Sequence, residues 1–385
     1  MIETPFFSTE EYEARLERVR QRMVERHLDA CLLSMPENIY YLTGLNYQGY
    51  FGFHLLVVPR EGEMVLVVRA MERATLENQL DSRTRYEGFE DGADPAQCAV
   101  NVIRGMGLQA ARLGLEMQSM YLRPYVVDGL RAELPQAHCF DATELVSEIR
   151  FVQSPRELDY TRRAAAISEA MMRAALETAR PGVSEKEIAA EVYRTMVMAG
   201  GDIPGFHPFI RSTPRLGRAH ETWTDRVLAS EDTLFVELSG CVGNYHAPMG
   251  RLITFQELPP QTADMAQVCL EAFAAVVDAV RPGVRAGLFY LAGLDRVHRA
   301  GLSHFNMHHC GYLVGIGFAP SWVGGGAVIG LRRNSEVELR AGMVFHLMSW
   351  LIGAGRGDYF VSDTAVVTEH GCEMLTRLPQ LLRAK

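Results

Sequence analysis

Phe235-Val-Glu-Leu-Ser-Gly-Cys-Val-Gly-Asn-Tyr-His-Ala-Pro-Met-Gly-Arg251 is the stretch of this chain that most constrains its fold. We predict that it forms a pair of strands, with Glu237 in the middle of the first, between Val236 and Leu238. An ionised carboxyl group in such apolar surroundings is costly unless it is paired. Burial raises the pKa of a carboxyl group, whereas a nearby arginine lowers it. Glu237 is therefore either a functional carboxyl or one half of a structural ion pair with Arg251.

A short motif occurs twice in the second part of the chain. Ala179-Arg-Pro-Gly-Val183 ends one predicted helix, and Val280-Arg-Pro-Gly-Val284 ends another. Helical stretches follow both copies, at Glu185–Ala199 and Leu288–Ala300. Pro-Gly ends helices in many proteins, so one copy says little. Two copies in matching contexts predict two related αβ halves with a pocket between them.

The first part of the chain alternates predicted helices and strands. Ser8 and Glu11 fit a capping box at the start of a helix. Strands are predicted at 30–34, 54–58, 63–68 and 112–116, with a helix at 122–133. The next long helix begins at Arg156, after Pro155, and runs to about Thr178. This alternation predicts an α/β N-terminal domain that ends near residue 152.

Composition excludes several classes of function. The chain has 385 residues, is 48% hydrophobic and 22% charged, and carries a formal net charge of -9, which disfavours nucleic-acid and anionic-membrane partners. No apolar run is long enough to cross a bilayer, and the N-terminus does not resemble a signal peptide. We therefore expect a cytoplasmic protein. The seven cysteines are scattered and contain no CxxC, so most are predicted to be buried and unpaired, with only Cys241 and Cys310 in segments assigned to the site.

Several motifs together resemble the pita-bread superfamily, which includes creatinase, aminopeptidase P and prolidase. They are the two Arg-Pro-Gly-Val turns, Arg150…Ser154-Pro155…Glu157, Gly342-Met-Val-Phe345 and Asp363-Thr-Ala-Val-Val-Thr-Glu369-His-Gly371. The resemblance covers nearly the whole chain. It implies an α/β (α+β) architecture in which a creatinase-type N-terminal domain, residues 1–152, precedes a C-terminal pita-bread domain, residues 153–385, with two pseudo-symmetric αβ halves.

The resemblance also shows what has changed at the peptidase metal site. The five ligand positions of the peptidases fall on Glu237, Pro248, Tyr312, Met348 and Ser362. Proline has no donor atom, and one carboxylate cannot hold a catalytic divalent ion that several anionic oxygens hold in the peptidases. We therefore predict no metal ion and no cofactor.

Within the superfamily, the chain resembles the metal-free branch and is most similar to the ectoine hydrolases. The shared motifs are Gly201-Asp-Ile-Pro204, His220-x-Thr-Trp-x-Asp-Arg226, Phe235-Val-Glu-Leu-Ser-Gly-Cys241, Tyr245-His-x-Pro248, Gly311-Tyr-x-x-Gly315 and Gly342-Met-Val-Phe-His-Leu-Met348. Two acidic positions of those enzymes are replaced here, by Ser321 and Phe360. Lost carboxylates change what a pocket for a cationic amidinium can hold, so the exact substrate stays open.

This resemblance implies a hydrolase of non-peptide C–N bonds that opens a cyclic amidine such as ectoine or 5-hydroxyectoine. Glu237 is the implied nucleophile, attacking the amidine carbon, and His220 is the implied proton shuttle. Without a metal ion, such a reaction needs both roles to be filled by side chains. The alternative for His220 is a histidine that only caps or packs a loop.

Further residues are candidates for binding the substrate: Trp223, Asp225, Tyr245, His246, Arg251, Tyr312 and His346. Trp223 and Tyr312 could stack on a planar cation. Asp225 either orients His220 or caps a turn, and His246 and His346 are either ligands of the substrate or satisfied interior histidines. In creatinase-type dimers the N-terminal domain reaches the partner's active site, so Tyr47 and Tyr50 are expected to close the pocket of a homodimer.

Three other functions remain as alternatives. A creatinase-like amidinohydrolase would use water activated by His220 in place of a covalent Glu237 adduct. A metal-dependent Xaa-Pro peptidase or prolidase would require unusual ligands. A non-catalytic, peptidase-like binding module would have no need to keep His220, Glu237 and Arg251.

Overall fold

The computed structural model describes residues 6–326 and 328–384, which form two compact units. The N-terminal unit extends to Arg150 and includes a short loop segment that begins at Gly324, and the C-terminal unit starts at Phe151. The segment 1–5, in which no signal peptide was predicted, lies outside the described residues. Within the described part of the chain, no helix has the length and apolar character needed to span a membrane.

The N-terminal unit is built around one mixed sheet. Its strands are β1 (Ala30–Leu33), β2 (Leu55–Pro59), β3 (Met64–Arg69), β4 (Thr84–Phe89), β5 (Arg112–Leu115) and β6 (His138–Asp141), in the order β4-β3-β2-β1-β5-β6. Its helices are α1 (Thr9–Glu25), α2 (Pro36–Thr43), α3 (Arg73–Gln79), α4 (Pro95–Gly105), α5 (Pro124–Glu133) and α6 (Glu144–Arg150). Pairs β1–β5, β5–β6 and β3–β4 are parallel, and β1–β2 and β2–β3 are antiparallel. The predicted α/β character is confirmed, and the Ser8 hydroxyl accepts the backbone N–H of Glu11 at the start of α1.

The C-terminal unit has a larger sheet with helices packed on it. Its strands are β7 (Phe209–Ser212), β8 (Thr233–Val242), β9 (Tyr245–Thr254), β10 (Gly311–Leu313), β11 (Val344–Trp350), β12 (Phe360–Val367), β13 (Cys372–Met374) and β14 (Leu382–Arg383). The main order is β10-β11-β12-β9-β8-β7, with β13 beside β12 and β14 beside β9. Its helices are α7 (Pro155–Thr178), α8 (Glu185–Met198), α9 (Pro260–Ala279) and α10 (Ala286–Arg299). The quoted stretch forms the hairpin β8–β9, as predicted.

The repeated Pro-Gly turns occupy equivalent places in two halves of this unit. One turn joins α7 to α8, and the other joins α9 to α10, with Gly182 and Gly283 in the left-handed region at φ +89° and +78°. The first turn exchanges backbone hydrogen bonds with Leu228 before β8, and the second does the same with Leu339 before β11. Helix α7 packs on β8 and β9, and helix α9 packs on β11 and β12. The predicted pair of related αβ halves is therefore confirmed.

Helix α7 approaches the central strands so closely that a glycine is required at the contact. A Cβ atom placed on Gly240 would lie 2.3 Å from the carbonyl oxygen of Ala164. The Ser168 hydroxyl joins the same layers, since it accepts the Gly240 N–H at 2.7 Å and donates to the Ala247 carbonyl at 2.6 Å. The opposite face of the sheet is thereby left to carry the side chains described below.

Candidate functional site

The five former ligand positions lie on one face of the C-terminal sheet. Glu237 pairs with Gly250, Gly250 with Ser362, and Ser362 with Met348 across four neighbouring strands. Residues directly opposite each other in antiparallel strands project on the same side, as do residues two apart along one strand. The same face therefore also carries Pro248, opposite Ser239, and Tyr312, opposite His346. The register brings together the positions that the sequence comparison had picked out separately.

This set of side chains does not fit a divalent metal ion. It offers one carboxylate, Glu237, together with the neutral hydroxyls of Tyr312 and Ser362, a thioether at Met348 and a proline with no donor. Catalytic divalent ions in two-metal sites are held by several anionic oxygens. Among residues 6–326 and 328–384, no group of three or more histidine, cysteine, aspartate or glutamate side chains is arranged to hold an ion. The donor chemistry at this face thus differs from that of a two-metal peptidase.

Glu237 is enclosed by the sheet but still reaches open space. Its side chain is 10% exposed, and its Oε1 atom lies 4.0 Å from Nε2 of His346. Burial raises the pKa of the Glu237 carboxyl to about 7, and the nearby Arg211 guanidinium opposes part of this shift. At neutral pH a substantial fraction of the carboxyl is therefore ionised, without a direct counter-ion. The prediction that burial and a nearby arginine act together is supported, but the arginine is Arg211.

The alternative reading, an ion pair between Glu237 and Arg251, is wrong. Arg251 projects from the opposite face of β9, where its Nη2 contacts both carboxylate oxygens of Asp363 at 2.9 Å. Its remaining donors go to the backbone carbonyls of Gly250, Ser362, Leu378 and Pro379. Arg251 is also corrected as a substrate-binding residue, because every guanidinium nitrogen is already paired with protein acceptors.

A chain of hydrogen bonds runs beside Glu237. The Trp322 indole N–H donates to the Tyr312 hydroxyl at 3.0 Å, and that hydroxyl contacts Nδ1 of His346 at 2.8 Å. The other ring nitrogen, Nε2, contacts the Ser362 hydroxyl at 2.7 Å. Trp322 and Ser362 were not among the predicted site residues. The former ligand position of Ser362 was a signal for its place on this face, but no local pattern pointed to Trp322 as a donor to Tyr312.

This chain of hydrogen bonds is neutral at physiological pH. Burial lowers the pKa of His346 to about 3, with smaller contributions from the positive charges of His309 and Arg251. Burial raises the pKa of the Tyr312 hydroxyl well above its ordinary value, and the Glu237 charge adds to this effect. The network therefore orients Tyr312, His346 and Ser362 beside Glu237 without adding a compensating charge.

His220 lies in the loop between β7 and β8 and contacts Phe209 on β7. Its ring centroid is 5.7 Å from that of Phe209, the residue that pairs directly with Glu237 across β7 and β8. His220 is exposed, and it lines a cavity of about 590 Å³ whose walls include Pro204, Phe206, His207, Phe209 and Ala319. Glu237 is not among the residues that line this cavity. His220 and Glu237 are thus both next to Phe209, with His220 on its solvent side.

Aromatic side chains form the wall between these two groups. Trp223 meets His207 edge to face at 5.8 Å, and Phe209 meets Trp322 at 5.9 Å. Phe206 also packs on Trp322, at 4.9 Å. Trp223 does not itself line the cavity, but it contacts His207, which does. His207, Phe206 and Phe209 were missed by the sequence reasoning, although Phe209 lies just ahead of the His220 loop.

His246 faces the site but is fully used by the backbone. Its Nε2 accepts the Gly205 N–H at 2.8 Å, and its Nδ1 contacts the Asn244 carbonyl at 2.9 Å. Since Nε2 is the acceptor, the proton lies on Nδ1, and burial lowers the pKa of the ring to about 4. The role of His246 is corrected from substrate binding to holding Gly205, one of the residues that line the cavity.

Two more predicted ligands point away from the site. Tyr245 lies on the opposite face of β9, where its hydroxyl donates to Glu157 Oε1 at 2.6 Å and its ring stacks on Tyr160. Asp225 is 87% exposed and forms an ion pair with Lys186 at the surface, so it neither orients His220 nor faces the cavity. The alternation of faces along a strand was the signal that would have separated Tyr245 and Arg251 from Pro248.

Four residues named in the sequence analysis remain. Tyr47 and Tyr50 lie in the N-terminal unit, and Ser321 and Phe360, which replace two acidic residues of the ectoine hydrolases, lie in the C-terminal unit. Tyr47 and Tyr50 are buried within the N-terminal unit, and the Tyr47 hydroxyl contacts Nδ1 of His54 at 2.9 Å. Ser321 is buried next to Trp322, and Phe360 stacks on Phe235 at 4.8 Å. Both residues that replace acidic residues are therefore buried, one with a small polar side chain and the other with an aromatic one.

The cysteines are free and take no part in this chemistry. Burial raises the pKa of the Cys310 thiol to about 12 and that of the Cys241 thiol well above its usual value. A nucleophilic thiol needs a lowered pKa. Cys241 and Cys310 are therefore buried apolar residues, as expected for most cysteines of this chain.

Known proteins resemble this chain over nearly its whole length. It is 33% identical to the uncharacterized hydrolase/peptidase y4tM of Sinorhizobium fredii, over 98% of each chain, and 28% identical to the ectoine hydrolase of Halomonas elongata, again over 98% of each. The crystal structure of dipeptidase PepE from Mycobacterium ulcerans superposes with a TM-score of 0.84 at 24% identity, over 98% of this chain and 99% of that one.

Two family models cover the two units. Residues 15–152 match the creatinase/prolidase N-terminal domain, and residues 159–369 match metallopeptidase family M24. The second match spans more than half of the chain, and both agree with the fold and with the pairing of two αβ halves. The chain is a hydrolase-type member of metallopeptidase family M24 with a creatinase-type N-terminal domain.

Proposed function

We propose that this protein is a metal-independent hydrolase that opens a cyclic amidine such as ectoine or 5-hydroxyectoine. The proposal rests on one face of the C-terminal sheet. Of the five peptidase ligand positions on that face, only Glu237 still has a carboxylate, and Pro248 and Met348 occupy positions where a peptidase needs one. The similarity to an ectoine hydrolase over 98% of the chain supports a non-peptide C–N bond as the target.

In the first half of the reaction, an ionised Glu237 oxygen attacks the sp2 carbon of the amidine. A C–O bond forms, and the electron pair of the C=N bond moves to nitrogen. The ring C–N bond then breaks as His220 donates a proton to the leaving nitrogen, which departs as an amine. The remaining nitrogen re-forms a C=N bond, so the opened substrate is bound to Glu237 through oxygen.

In the second half, water attacks the same carbon. His220, which has lost its proton, takes one from the water, and the bond between the carbon and Glu237 breaks. The carboxylate leaves as it was at the start, and the product carries one amide and one free amine. Each proton that His220 gives in the first half is returned in the second, so no further reactant is required.

Both groups lie next to Phe209, so the proposed reaction requires the Phe209 side chain to move and admit the substrate between them. Glu237 is enclosed and forms no hydrogen bond with the residues that the structure describes, which favours a reactive carboxylate over a solvated one. His220 is exposed at the rim of the cavity, where protons can exchange with solvent. Trp223 packs against His207 in the wall of the same cavity, and its proposed role is to stack on a planar cation.

The test is turnover of ectoine, 5-hydroxyectoine and creatine, followed by mass spectrometry. We expect ring opening of an ectoine by the wild type and a loss of at least ~10³-fold in kcat for Glu237→Ala, with His220→Gln losing ~10²-fold or more. Glu191→Ala, a partly exposed position on α8, serves as the matched control. Full activity of a folded Glu237→Ala protein would remove the proposed nucleophile.

The same experiment separates the neighbouring reactions. A covalent adduct on Glu237, seen as a mass increase of the intact protein after rapid acid quench, supports attack by the carboxylate. Turnover of creatine without an adduct supports a creatinase-like use of water, and cleavage of Xaa-Pro dipeptides only after addition of metal supports a peptidase.

We also propose that the active form is a cytoplasmic homodimer, in which the N-terminal unit that contains the buried Tyr47 and Tyr50 closes the partner's site. Light scattering of the purified protein should give twice the 43.0 kDa mass of the chain. A fully active monomer would exclude this arrangement.

A further inference from the structure

Arg211 is a buried cation whose two terminal nitrogens have no hydrogen-bond acceptor among the described residues. It lies on β7, is 0% exposed, and donates from Nε to the Leu216 carbonyl at 3.1 Å. Its two terminal nitrogens, Nη1 and Nη2, are buried and have no acceptor within the part of the chain that the structure describes. A guanidinium carries five N–H donors, so at least four of them are left without a partner.

Such an arrangement is costly unless something else completes it. Unpaired polar groups in a protein interior are rare, and an unpaired charge costs more than a neutral group. The Phe235 ring lies 3.6 Å below the guanidinium carbon and compensates for part of this cost, but a ring face cannot accept the in-plane N–H groups as a carboxylate does. Arg251, which is equally buried in the same sheet, has all three of its nitrogens paired.

The surrounding charges do not neutralise Arg211. No ion pair within 4.0 Å joins it to Glu237, and the neighbouring Arg215 is itself paired with Glu185 and Glu221. Burial lowers the pKa of Arg211 to about 10, so it keeps its proton at neutral pH. This part of β7 therefore holds a buried positive charge whose terminal N–H groups have no acceptor among the described residues.

Arg211 lies on the face of the sheet that carries the candidate site, although it does not itself line the cavity beside His220. It is two residues from Phe209 on β7, and its partner across the sheet is Phe235, two residues from Glu237. Residues two apart on a strand share a face, so Arg211, Phe209 and Glu237 project on the same side. The guanidinium thus projects from the face that carries the candidate site, and its charge opposes the effect of burial on the pKa of the Glu237 carboxyl.

We propose that Arg211 binds a carboxylate of the substrate through its two terminal nitrogens, so that the substrate is an amidine that carries an acid group. This inference rests on the proposed function, because it names the class of amidine that the same site takes. A carboxylate matches the planar fork of a guanidinium with two parallel hydrogen bonds. The positive amidinium end would then face Glu237, and the negative end would face Arg211.

A pair of ligands tests this directly. Ectoine and 2-methyl-1,4,5,6-tetrahydropyrimidine have the same amidine ring, but only ectoine carries the carboxylate. Calorimetric titration of the Glu237→Gln protein, which cannot turn over, should show ectoine binding about 100-fold more tightly, because hydrogen bonds to charged groups are the strong ones. Equal affinities for the two rings would overturn the proposal, and no variant of Arg211 is needed to see this.

Variants then identify the residue. Adding Arg211→Met to Glu237→Gln should abolish the difference between the two rings and leave binding of the carboxylate-free ring unchanged, and Arg211→Lys should restore part of the difference. Arg194→Met, at an exposed position on α8, is the matched control and should keep the full difference. A difference that survives Arg211→Met would assign the carboxylate to another residue and overturn the inference.

A final arm separates this inference from the proposed function. N-acetyl amino acids and their methyl esters have no amidine, and we expect the free acids alone to bind, in a manner that depends on Arg211. If neither ring binds but these acids do, the amidine hydrolase is excluded and the anion site stands. If neither ring nor any acid binds, the anion site is excluded as well.

Discussion

At the scale of single residues, the chemistry depends on how Glu237 is charged. Burial and Arg211 act on this carboxyl in opposite directions, and burial wins, which brings its pKa to about 7. The carboxyl is therefore poised to change its charge close to physiological pH. His346 is neutral and cannot compensate for the negative charge. The raised pKa of Glu237 affects both the pH dependence of activity and the free energy of unfolding.

The first prediction concerns the pH dependence of activity. Attack requires the ionised carboxylate, so kcat/KM should rise with pH along a limb whose midpoint is near pH 7. Arg211 opposes the upward shift of the Glu237 pKa, and removing it in Arg211→Met should move this midpoint to higher pH. Initial rates between pH 5 and 9 measure both midpoints. Identical midpoints in wild type and Arg211→Met would contradict the assignment.

The second prediction concerns the free energy of unfolding. The folded pKa of Glu237 is about 7, above its unfolded value of about 4.5, so the unfolded chain holds fewer protons between these two pH values. The wild type therefore loses stability as pH rises from 4.5 to 7, by about 3 kcal/mol from this group alone. Glu237→Gln should remove this loss and be more stable than wild type at pH 8, but close to it at pH 4. Urea unfolding at the two pH values tests this, and a stability difference independent of pH would contradict it.

At the scale of elements, the packing of α7 on the hairpin β8–β9 fixes the backbone from which Glu237 projects. Gly240 lies three residues after Glu237 on β8, and the α7 backbone leaves no room for a Cβ atom there. Ser168 ties the same helix to both strands through its hydroxyl. The helix therefore supports the strands from behind, while the opposite face stays open for the site.

Gly240→Ala tests this close approach. The new methyl group would meet the Ala164 carbonyl and the backbone nitrogen of Ser168, neither of which can turn aside, so we expect a loss of about 3 kcal/mol in the free energy of unfolding. Gly105→Ala, at the end of α4, has no atom within 4 Å of the new methyl group and is the control. Chemical denaturation of both variants gives the comparison. A Gly240→Ala protein as stable as the Gly105→Ala protein would show that α7 is free to shift.

At the scale of the whole molecule, the chain keeps the M24 architecture on which a metal site is expected, while the side chains at that site do not provide one. The pairing of two αβ halves around one sheet is retained, including the two equivalent turns. The fold therefore does not identify the reaction, which depends on the side chains at the five former ligand positions.

Metal removal tests this separation of fold from chemistry. We expect the purified protein to turn over its amidine substrate equally well before and after dialysis against a chelator, and to contain less than stoichiometric Mn, Fe, Zn or Co by elemental analysis. The physical reason is that one carboxylate provides too little negative charge to hold a divalent ion. Activity that is lost on chelation and restored by one of these metals would contradict it.

Several features of the protein follow from the sequence by itself, because they depend on local properties. The Pro-Gly turns and the Ser8 cap of α1 lie where they were predicted, since turn chemistry and capping act over a few residues. The loss of the ligand set is also determined locally. A proline at position 248 has no donor atom in any fold.

The tertiary structure alone decided which side chains meet. Arg251 pairs with Asp363 and not with Glu237, His246 binds the Gly205 backbone, and Asp225 lies at the surface beside Lys186. These outcomes depend on strand register and on which face of the sheet each residue occupies, and both are set by contacts between segments far apart in the chain. Arg211 shows this most clearly: nothing near it in the sequence marks it as special, and only the packing of β7 against β8 leaves its two terminal nitrogens buried with no acceptor in the described part of the chain.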